Sequence, residues 1–308
     1  MQTVTYRDLT TLDDYAQVVE LERRIWGVGY GDVVPVPILA VSVLRGGILI
    51  GAFARETEPE ASAFAEATAD KSAGRLVGFV YSLPGIKHGK TTQWSHMLGV
   101  LAEHRNDGTG RQLKLLQRKR TLAMGLELIE WTYDPMQALN AHLNFAKLGV
   151  IVEEYEENVY GISSSPLHQG NPTDRFVAEW WIAKPHVERR LHGGGAALTL
   201  RTDEVADAPA ANRATPHGDW HICDDVNLAH DVRRVRVEIP MHFTEMLSGA
   251  PEKAMEWRLA TREIFTTYFR RGYRAVDFYL DRANSKGSYL LARREGTGGL
   301  VLPCQIRS

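Results

Sequence analysis

The stretch that decides the fold is residues 100–110, which read VLAEHRNDGTG. An apolar, strand-like segment (93–101) precedes it, and a helical pattern (111–124) follows it. Where a strand leads through a turn into a helix, the first helical amides have no internal partner and carry the positive end of the dipole. Such amides bind anions, and Gly108 and Gly110 would let the backbone approach one closely. The stretch therefore predicts a phosphate site, with a plain tight turn as the alternative.

The chain after this turn repeats the strand-then-helix pattern. Residues 126–131 predict a second strand, and residues 135–148 predict a second helix. Asp134 and Pro135 would supply the N-cap of that helix and its first residue. Asn140 and Asn144 lie four residues apart, which predicts that their amides share one face of the helix.

Both patterns resemble those of one superfamily. Residues 100–110 resemble the acyl-CoA-binding motif of GNAT-superfamily acyltransferases, commonly V-x-P-x-x-R/Q-x-x-G-x-G/A, and residues 140–149 (NAHLNFAKLG) resemble its second motif. The resemblance covers roughly residues 1–183. It implies an α/β (α+β) fold with a GNAT-like mixed, mostly antiparallel central sheet flanked by helices. It also implies N-acetyltransferase activity, in which an amine of a small-molecule or peptide acceptor attacks acetyl-CoA or another acyl-CoA directly.

The same resemblance implies which residues contact the acyl-CoA. In the family, backbone groups of the strand before the turn bind the pantetheine and polarise the thioester carbonyl, and an Asn of the second motif bonds the cofactor. Two arginines that flank the turn would complement a pyrophosphate. The residues expected to bind acyl-CoA are Leu98, Val100, Leu101, Arg105, Asn106, Asp107, Gly108, Thr109, Gly110, Arg111, Asn140 and Asn144.

Candidates for proton transfer lie on and beyond these elements. His96 titrates near neutral pH and could act as general base, and Glu103 is a second candidate. The family often places a tyrosine four residues before the glycine of K-L-G, where its hydroxyl protonates the departing thiolate. Here that residue is Phe145, so Tyr155 or Tyr160 could substitute, or water could suffice. A non-catalytic acyl-CoA-binding or regulatory protein is therefore the alternative function.

Composition narrows the classes of function. A hydrophobic content of 44% and a net charge of −2 describe a soluble globular chain without the basic excess typical of nucleic-acid binding. No apolar run reaches about 18 residues, so no membrane partner is expected. The first residues do not resemble a signal peptide, and two cysteines form no disulfide framework, which favours a cytoplasmic protein. The spacing of His217, His221 and His230 matches no metal-ligand pattern, so no metal site is expected.

The N-terminal half shows alternating strand and helix signals. Residues 4–7, 47–54, 75–83, 153–161 and 175–183 predict strands, and Thr11 predicts the start of a helix that ends before Gly27. Residues 56–73 have little to bury and predict a long hairpin loop. In the family, the edge after the first helix shapes the acceptor pocket, so Trp26, Tyr30 and Asp32 could line it. On the helix 111–124, Lys114, Arg118 and Lys119 are interpreted as a solvated face.

Three regions follow from these signals. Residues 1–183 are predicted to form a GNAT-like acyl-CoA-binding domain, and residues 184–231 an irregular linker. Residues 232–308 are predicted to form a smaller C-terminal α+β unit with a strand (232–239), a helix (251–271) and a second strand (273–280). A strand–helix–strand unit makes little core alone. We therefore expect it to dock against the first domain or against another subunit, as in a homodimer.

Overall fold

The computed structural model of the chain describes residues 3–27, 31–55, 74–161, 170–192, 205 and 207–294. The loop predicted for residues 56–73 and the acceptor-pocket candidate Tyr30 lie outside these ranges. None of the helices described has both the length and the apolar content that a membrane span requires.

Ten of the strands in this part of the chain form one sheet. Its order is β1-β2-β3-β4-β5-β7-β6-β11-β12-β10, and β4–β5 is its parallel pair among otherwise antiparallel neighbours. This confirms the predicted mixed, mostly antiparallel sheet. The strands of this sheet and of the separate hairpin β8–β9 are β1 Val4–Asp8, β2 Ile48–Ala54, β3 Arg75–Lys87, β4 Lys90–Val100, β5 Leu128–Tyr133, β6 Ile151–Glu156, β7 Arg175–Trp181, β8 Arg213–His217, β9 Trp220–Asp224, β10 Arg234–Pro240, β11 Tyr273–Asp281 and β12 Lys286–Arg293.

Helices cover both faces of the first strands and one face of the later ones. The capping box predicted at Thr11 is present, because its hydroxyl accepts the Asp14 amide while the Asp14 carboxylate accepts the Thr11 amide. The helices are α1 Leu12–Trp26, α2 Val36–Leu44, α3 Thr109–Ala123, α4 Ala138–Ala141 (continued by the π-helix His142–Leu148), α5 Pro185–His192, α6 Phe243–Gly249 and α7 Pro251–Arg270.

The second-motif helix differs from its prediction at both ends. It begins at Ala138 rather than at Pro135, because Asp134 Oδ1 accepts the Met136 amide at 2.9 Å and closes a turn first. From His142 onward the helix is wound as a π-helix, which has more residues per turn than an α-helix. Asn140 is consequently exposed while Asn144 is buried, so the two amides do not share one face.

The C-terminal strands extend the same sheet. Ala275 of β11 pairs with Val152 of β6, and one aromatic cluster crosses the junction. In it, Phe176 of β7 lies 4.6 Å from Phe265 of α7 and 5.4 Å from Tyr289 of β12, measured between ring centroids. The two halves of the chain therefore share one hydrophobic core.

Residues 184–231, predicted as a linker, contain the helix α5 and the hairpin β8–β9 within the part that the structure describes. The helix has eight residues and only two apolar side chains that contact the core, Val187 and Leu191, which is too short a pattern to predict a helix from sequence.

A buried ion pair fastens α7 to the end of β5. Arg258 Nη1 and Nη2 each donate to one oxygen of Asp134 at 2.7 Å, and Arg258 Nε donates to Asn171 Oδ1 at 3.0 Å. Arg258 is 1% exposed and Asp134 is 6% exposed. The two charges thus neutralise each other in the protein interior, and removing either one would leave the other buried without a partner.

We expect Arg258→Ala to lower the free energy of unfolding by about 3–5 kcal/mol, because it leaves the Asp134 carboxylate buried without its partner. Denaturant unfolding followed by circular dichroism measures this loss. Arg270→Ala, at an exposed position on the same helix, is the control and should cost less than about 1 kcal/mol. Equal losses for the two variants would contradict the assignment.

Candidate functional site

A gap between β4 and β5 organises the candidate site. The two parallel strands pair through only two residue pairs, Gln93 with Ile129 and Trp94 with Glu130. Beyond these pairs the ladder between the two strands ends, while β4 continues to Val100 and leads to the start of α3 at Thr109. Parallel neighbours ordinarily continue their ladder, so the separation leaves backbone and side-chain groups of both strands facing the gap.

A β-bulge marks β4 where it leaves β5. Tyr81 of β3 pairs with Met97 and Ser82 pairs with Ser95, which leaves His96 as an extra residue between them. Further along, the Leu101 amide donates to Val77 of β3. Because backbone groups alternate along a strand, those of Leu98 and Val100 point away from β3, toward the gap.

The turn at the head of α3 is open. Gly108 has φ +94° and precedes the first helical residue, Thr109. The amides of Gly110 and Arg111 donate to no residue that the structure describes, whereas the Thr109 amide donates to Asp107 Oδ1 at 2.9 Å. A Cβ atom on Gly108 would meet nothing within 4 Å, and one on Gly110 would lie 3.9 Å from Leu98 and Val100. Side chains therefore leave this corner accessible to an anion.

Two arginines lie beside the turn, as the sequence predicts. Arg105 is exposed and its Nε donates to the Val100 carbonyl at 3.0 Å. Arg111 is half-buried and its Nη2 lies 3.5 Å from the Leu191 carbonyl, at the end of α5. Asn106, between them, has a positive φ of 66° and is exposed.

The second motif brings one polar side chain into the interior. Asn144 is 4% exposed, and its side-chain amide makes no hydrogen bond to any described residue. The next residue, Phe145, packs edge-on against Tyr289 at 5.7 Å between centroids. This ring belongs to the core, where a tyrosine hydroxyl would need a partner of its own.

The three predicted catalytic residues lie in different places. His96 is exposed at the bulge, and its ring packs edge-on against Tyr81 at 5.9 Å. Glu103 follows β4 in a short 3₁₀ turn and forms an ion pair with Arg75 at 3.6 Å. Tyr155 lies on β6, which β7 separates from the gap, and its hydroxyl donates to Asp174 at 2.6 Å. Of the three, only His96 lies where β4 and β5 separate.

Electrostatics distinguish these candidates further. Although the side chain is partly exposed, loss of solvent around its ring lowers the pKa of His96 below the ordinary value, so the imidazole is mostly neutral at neutral pH and can accept a proton. Burial and the neighbouring Asp174 carboxylate raise the pKa of Tyr155. Its proton is therefore held tightly.

The interpretation of Lys114 as part of a solvated face is wrong. Lys114 is 3% exposed, and the buried stripe of α3 consists of Thr109, Leu113, Lys114, Gln117 and Thr121. Its Nζ donates to Ser95 Oγ at 2.8 Å and to Gln117 Oε1 at 3.2 Å, and it lies 3.7 Å from the centre of the Trp131 ring. The spacing of Leu113, Lys114 and Gln117 along one helical stripe was the available signal. Arg118 is also half-buried and donates to the Ile182 carbonyl at 2.9 Å.

A second buried ionisable side chain, Glu22, belongs to α1 on the other face of the sheet. Glu22 is fully buried; its Oε2 accepts the Val34 amide at 2.9 Å, and its Oε1 has no partner among the described residues. Burial raises the pKa of this carboxyl to about 7. Nearby, Tyr81 donates to Ser42 Oγ at 2.5 Å. Two of the acceptor-pocket candidates also lie among the described residues. The Trp26 ring packs edge-on against that of Phe79, with 6.1 Å between ring centroids, and Asp32 is exposed.

A cleft of about 910 Å³, lined among others by Lys87, Glu154 and Glu179, contains none of the predicted site residues. Much of its charge is already paired, since Lys87 contacts Glu154 at 2.9 Å and Glu179 at 2.6 Å. We therefore place the candidate site at the gap, where donors are open, and not in this cleft. Among the residues described, no group of three or more His, Cys, Asp or Glu side chains is placed to hold a metal ion.

Comparisons with known proteins give matches in structure alone. No family model and no curated protein sequence matches the chain. The NatC complex bound to Gag peptide and CoA is similar over 58% of this chain and 98% of its own, at 12% identity and a TM-score of 0.44. Arabidopsis thaliana NAA60 in complex with a bisubstrate analogue is similar over 58% and 99%, at 12% identity and a TM-score of 0.44. An acetyltransferase of the GNAT family from Streptococcus pneumoniae is similar over 57% and 98%, at 15% identity and a TM-score of 0.43. Of these three, the protein from Streptococcus pneumoniae is described as a member of the family that the sequence motifs resemble.

We expect Gly108→Ala to lower the free energy of unfolding by roughly 1–2 kcal/mol, because alanine is strained at a positive φ. Gly110→Ala is the matched control: the site has room for a Cβ atom, so stability should stay the same or rise by about 0.4–1 kcal/mol. Denaturant unfolding of both variants checks the turn. A Gly108→Ala variant as stable as the parent would contradict this geometry.

We expect the His96 ring to titrate below pH 6.5, the ordinary value for histidine, because partial desolvation disfavours the imidazolium. Two-dimensional NMR of the imidazole signals across pH 4–8 measures the midpoint, and the His96→Gln variant identifies which signal disappears. A midpoint at or above 6.5 would show that the ring is not desolvated.

Proposed function

We propose that this chain transfers an acyl group from an acyl-CoA to an amine. The observation that carries the proposal is the gap between β4 and β5, whose ladder ends after two pairs, together with the bare N-terminus of α3 that follows β4. The amides of Gly110 and Arg111, with the guanidinium of Arg111, suit a diphosphate. The Asn144 amide and the backbone of Leu98 and Val100 are additional polar groups for the remainder of a CoA thioester.

The two faces of the gap suit two substrates. Trp94 and Glu130 pair across the strands, so their side chains share one face, whereas Ser95 contacts α3 on the other. The His96 ring contacts Tyr81, whose hydroxyl bonds to α2, so it lies on the face away from α3. The thioester would enter from the α3 side, and an amine would approach His96 from the opposite side.

His96 supplies the base in this proposal. It takes a proton from the acceptor ammonium, and the free amine forms a C–N bond to the thioester carbonyl carbon. The C–S bond then breaks, and the thiolate leaves and takes up a proton as free coenzyme A. Positioning the reactants and stabilising the oxyanion with fixed backbone donors would supply most of the acceleration.

The non-catalytic alternative has one observation in its favour. Phe145 occupies the position where the resembled family often has a proton-donating tyrosine, and its ring is buried against Tyr289. A chain that only binds acyl-CoA would have no use for a donor there. Release of free thiol from acetyl-CoA and other acyl-CoAs, measured with a panel of primary amines, separates the two. Binding without thiol release for any donor and amine favours the alternative.

We expect the full chain to bind coenzyme A in a calorimetric titration, and Arg111→Ala to weaken that binding about 10- to 100-fold. A hydrogen bond to a charged group contributes about 1.5–3 kcal/mol, and 1.4 kcal/mol corresponds to tenfold. Arg120→Ala is the matched control, because Arg120 lies at the other end of α3 and pairs with Asp8. The proposal fails if no heat of binding is detected, or if both variants bind like the parent.

A further inference from the structure

The buried lysine of α3 has no counter-charge. Lys114 Nζ contacts Ser95 Oγ, Gln117 Oε1 and the face of Trp131, all uncharged groups. No Asp or Glu among the described residues forms an ion pair with it. The nearest acidic residue along β5, Glu130, has its side chain on the opposite face, where it pairs with Lys87 at 3.1 Å.

A buried ammonium without an anion is costly, and proteins rarely keep one without a use for it. Here desolvation lowers the pKa of Lys114 to about 7, so the amine is near the boundary between its neutral and charged forms. Packing alone does not require the amine, because a methionine of similar length would fill the space beside Trp131. The polar head therefore points to an anionic group that arrives from outside the chain.

The amine lies at the closed end of the gap. Ser95 and Trp131 are the first residues of β4 and β5 beyond their last pair, and Lys114 joins them from the α3 side. Gly110, one helical turn before Lys114, lies at the open end beside Leu98 and Val100. A thioester whose diphosphate sits at the head of α3 would therefore direct its acyl chain toward Lys114.

We propose that the acyl donor carries a terminal carboxylate, as in a succinyl or malonyl thioester, and that Lys114 binds this carboxylate. Gln117 Nε2, which donates to Ser95 Oγ at 3.0 Å, and the Ser95 hydroxyl, which donates to Gln117 Oε1 at 3.2 Å, are additional donors at the same place. The distal carboxylate is not changed by the reaction; it selects the donor. This inference rests on the proposed acyl-CoA-dependent function.

Matched donors test the inference without knowledge of the acceptor amine. Butyryl-CoA and succinyl-CoA both carry four-carbon acyl groups and differ in a terminal methyl against a carboxylate. Propionyl-CoA and malonyl-CoA form the corresponding three-carbon pair. Calorimetric titration of the full chain should give tighter binding, by roughly tenfold or more, for the carboxylated member of at least one pair.

Lys114→Met should abolish this preference while leaving the affinity for coenzyme A itself unchanged. A merely structural lysine would instead affect all ligands alike. Lys119→Met, at an exposed position of the same helix, is the control and should keep the parent preference. The parent titrations do not depend on how well the variants fold.

Two failures are distinguishable. A parent chain that binds coenzyme A but prefers the methyl-terminated donors, or shows no preference, overturns this inference and leaves the proposed function standing. A parent chain that binds neither coenzyme A nor any thioester overturns both. A Lys114→Met variant that retains the preference for the carboxylated donor also overturns the inference.

Discussion

The pairing of β4 with β5 ends after two residue pairs, and this short ladder is the constraint on which the rest of the structure depends. Two residue pairs hold the strands together, and every backbone group beyond them must find a partner outside the ladder. Arg105 Nε meets this requirement for the Val100 carbonyl, and three other features lie along the gap: the bulge at His96, the polar cluster around Lys114, and the open head of α3. The gap is therefore both an interruption of the sheet and the place where polar groups of the protein are gathered.

A sheet interrupted in its middle needs support on both sides. On the N-terminal side, α1, α2 and α3 cover both faces of β2–β4. On the C-terminal side the strands β11, β12 and β10 extend the sheet, and α7 returns to the end of β5 through the Asp134–Arg258 pair. The same C-terminal residues explain Phe145: with Tyr289 of β12 packed against it, that position became part of the core.

Much of the fold could be predicted from local patterns in the sequence. The strand–turn–helix at 93–124 and the capped helix α1 each depend on signals within a few residues, namely apolar periodicity, Thr11 and Gly108. The errors arose where distant residues decide the outcome. Lys114 is buried because Ser95 and Trp131, 19 and 17 residues away, receive its amine. Asp134 closes a turn on the Met136 amide instead of starting the helix, and its carboxylate is also paired with Arg258, 124 residues further along the chain.

The candidate site likewise has one part that local sequence predicts and one part that distant residues determine. The open turn at the head of α3 could be predicted because free amides and glycines are properties of one short segment, and its role in binding an anion stays a prediction. The closed end of the gap was not, because its polarity comes from three separate elements that the sheet brings together. This difference has a chemical consequence. Under the proposed function, the head of α3 would bind the part common to all CoA thioesters, and the closed end, with Lys114, would face the part in which they differ. Recognition of the common part would then depend on one short segment, whereas discrimination among donors would depend on tertiary contacts.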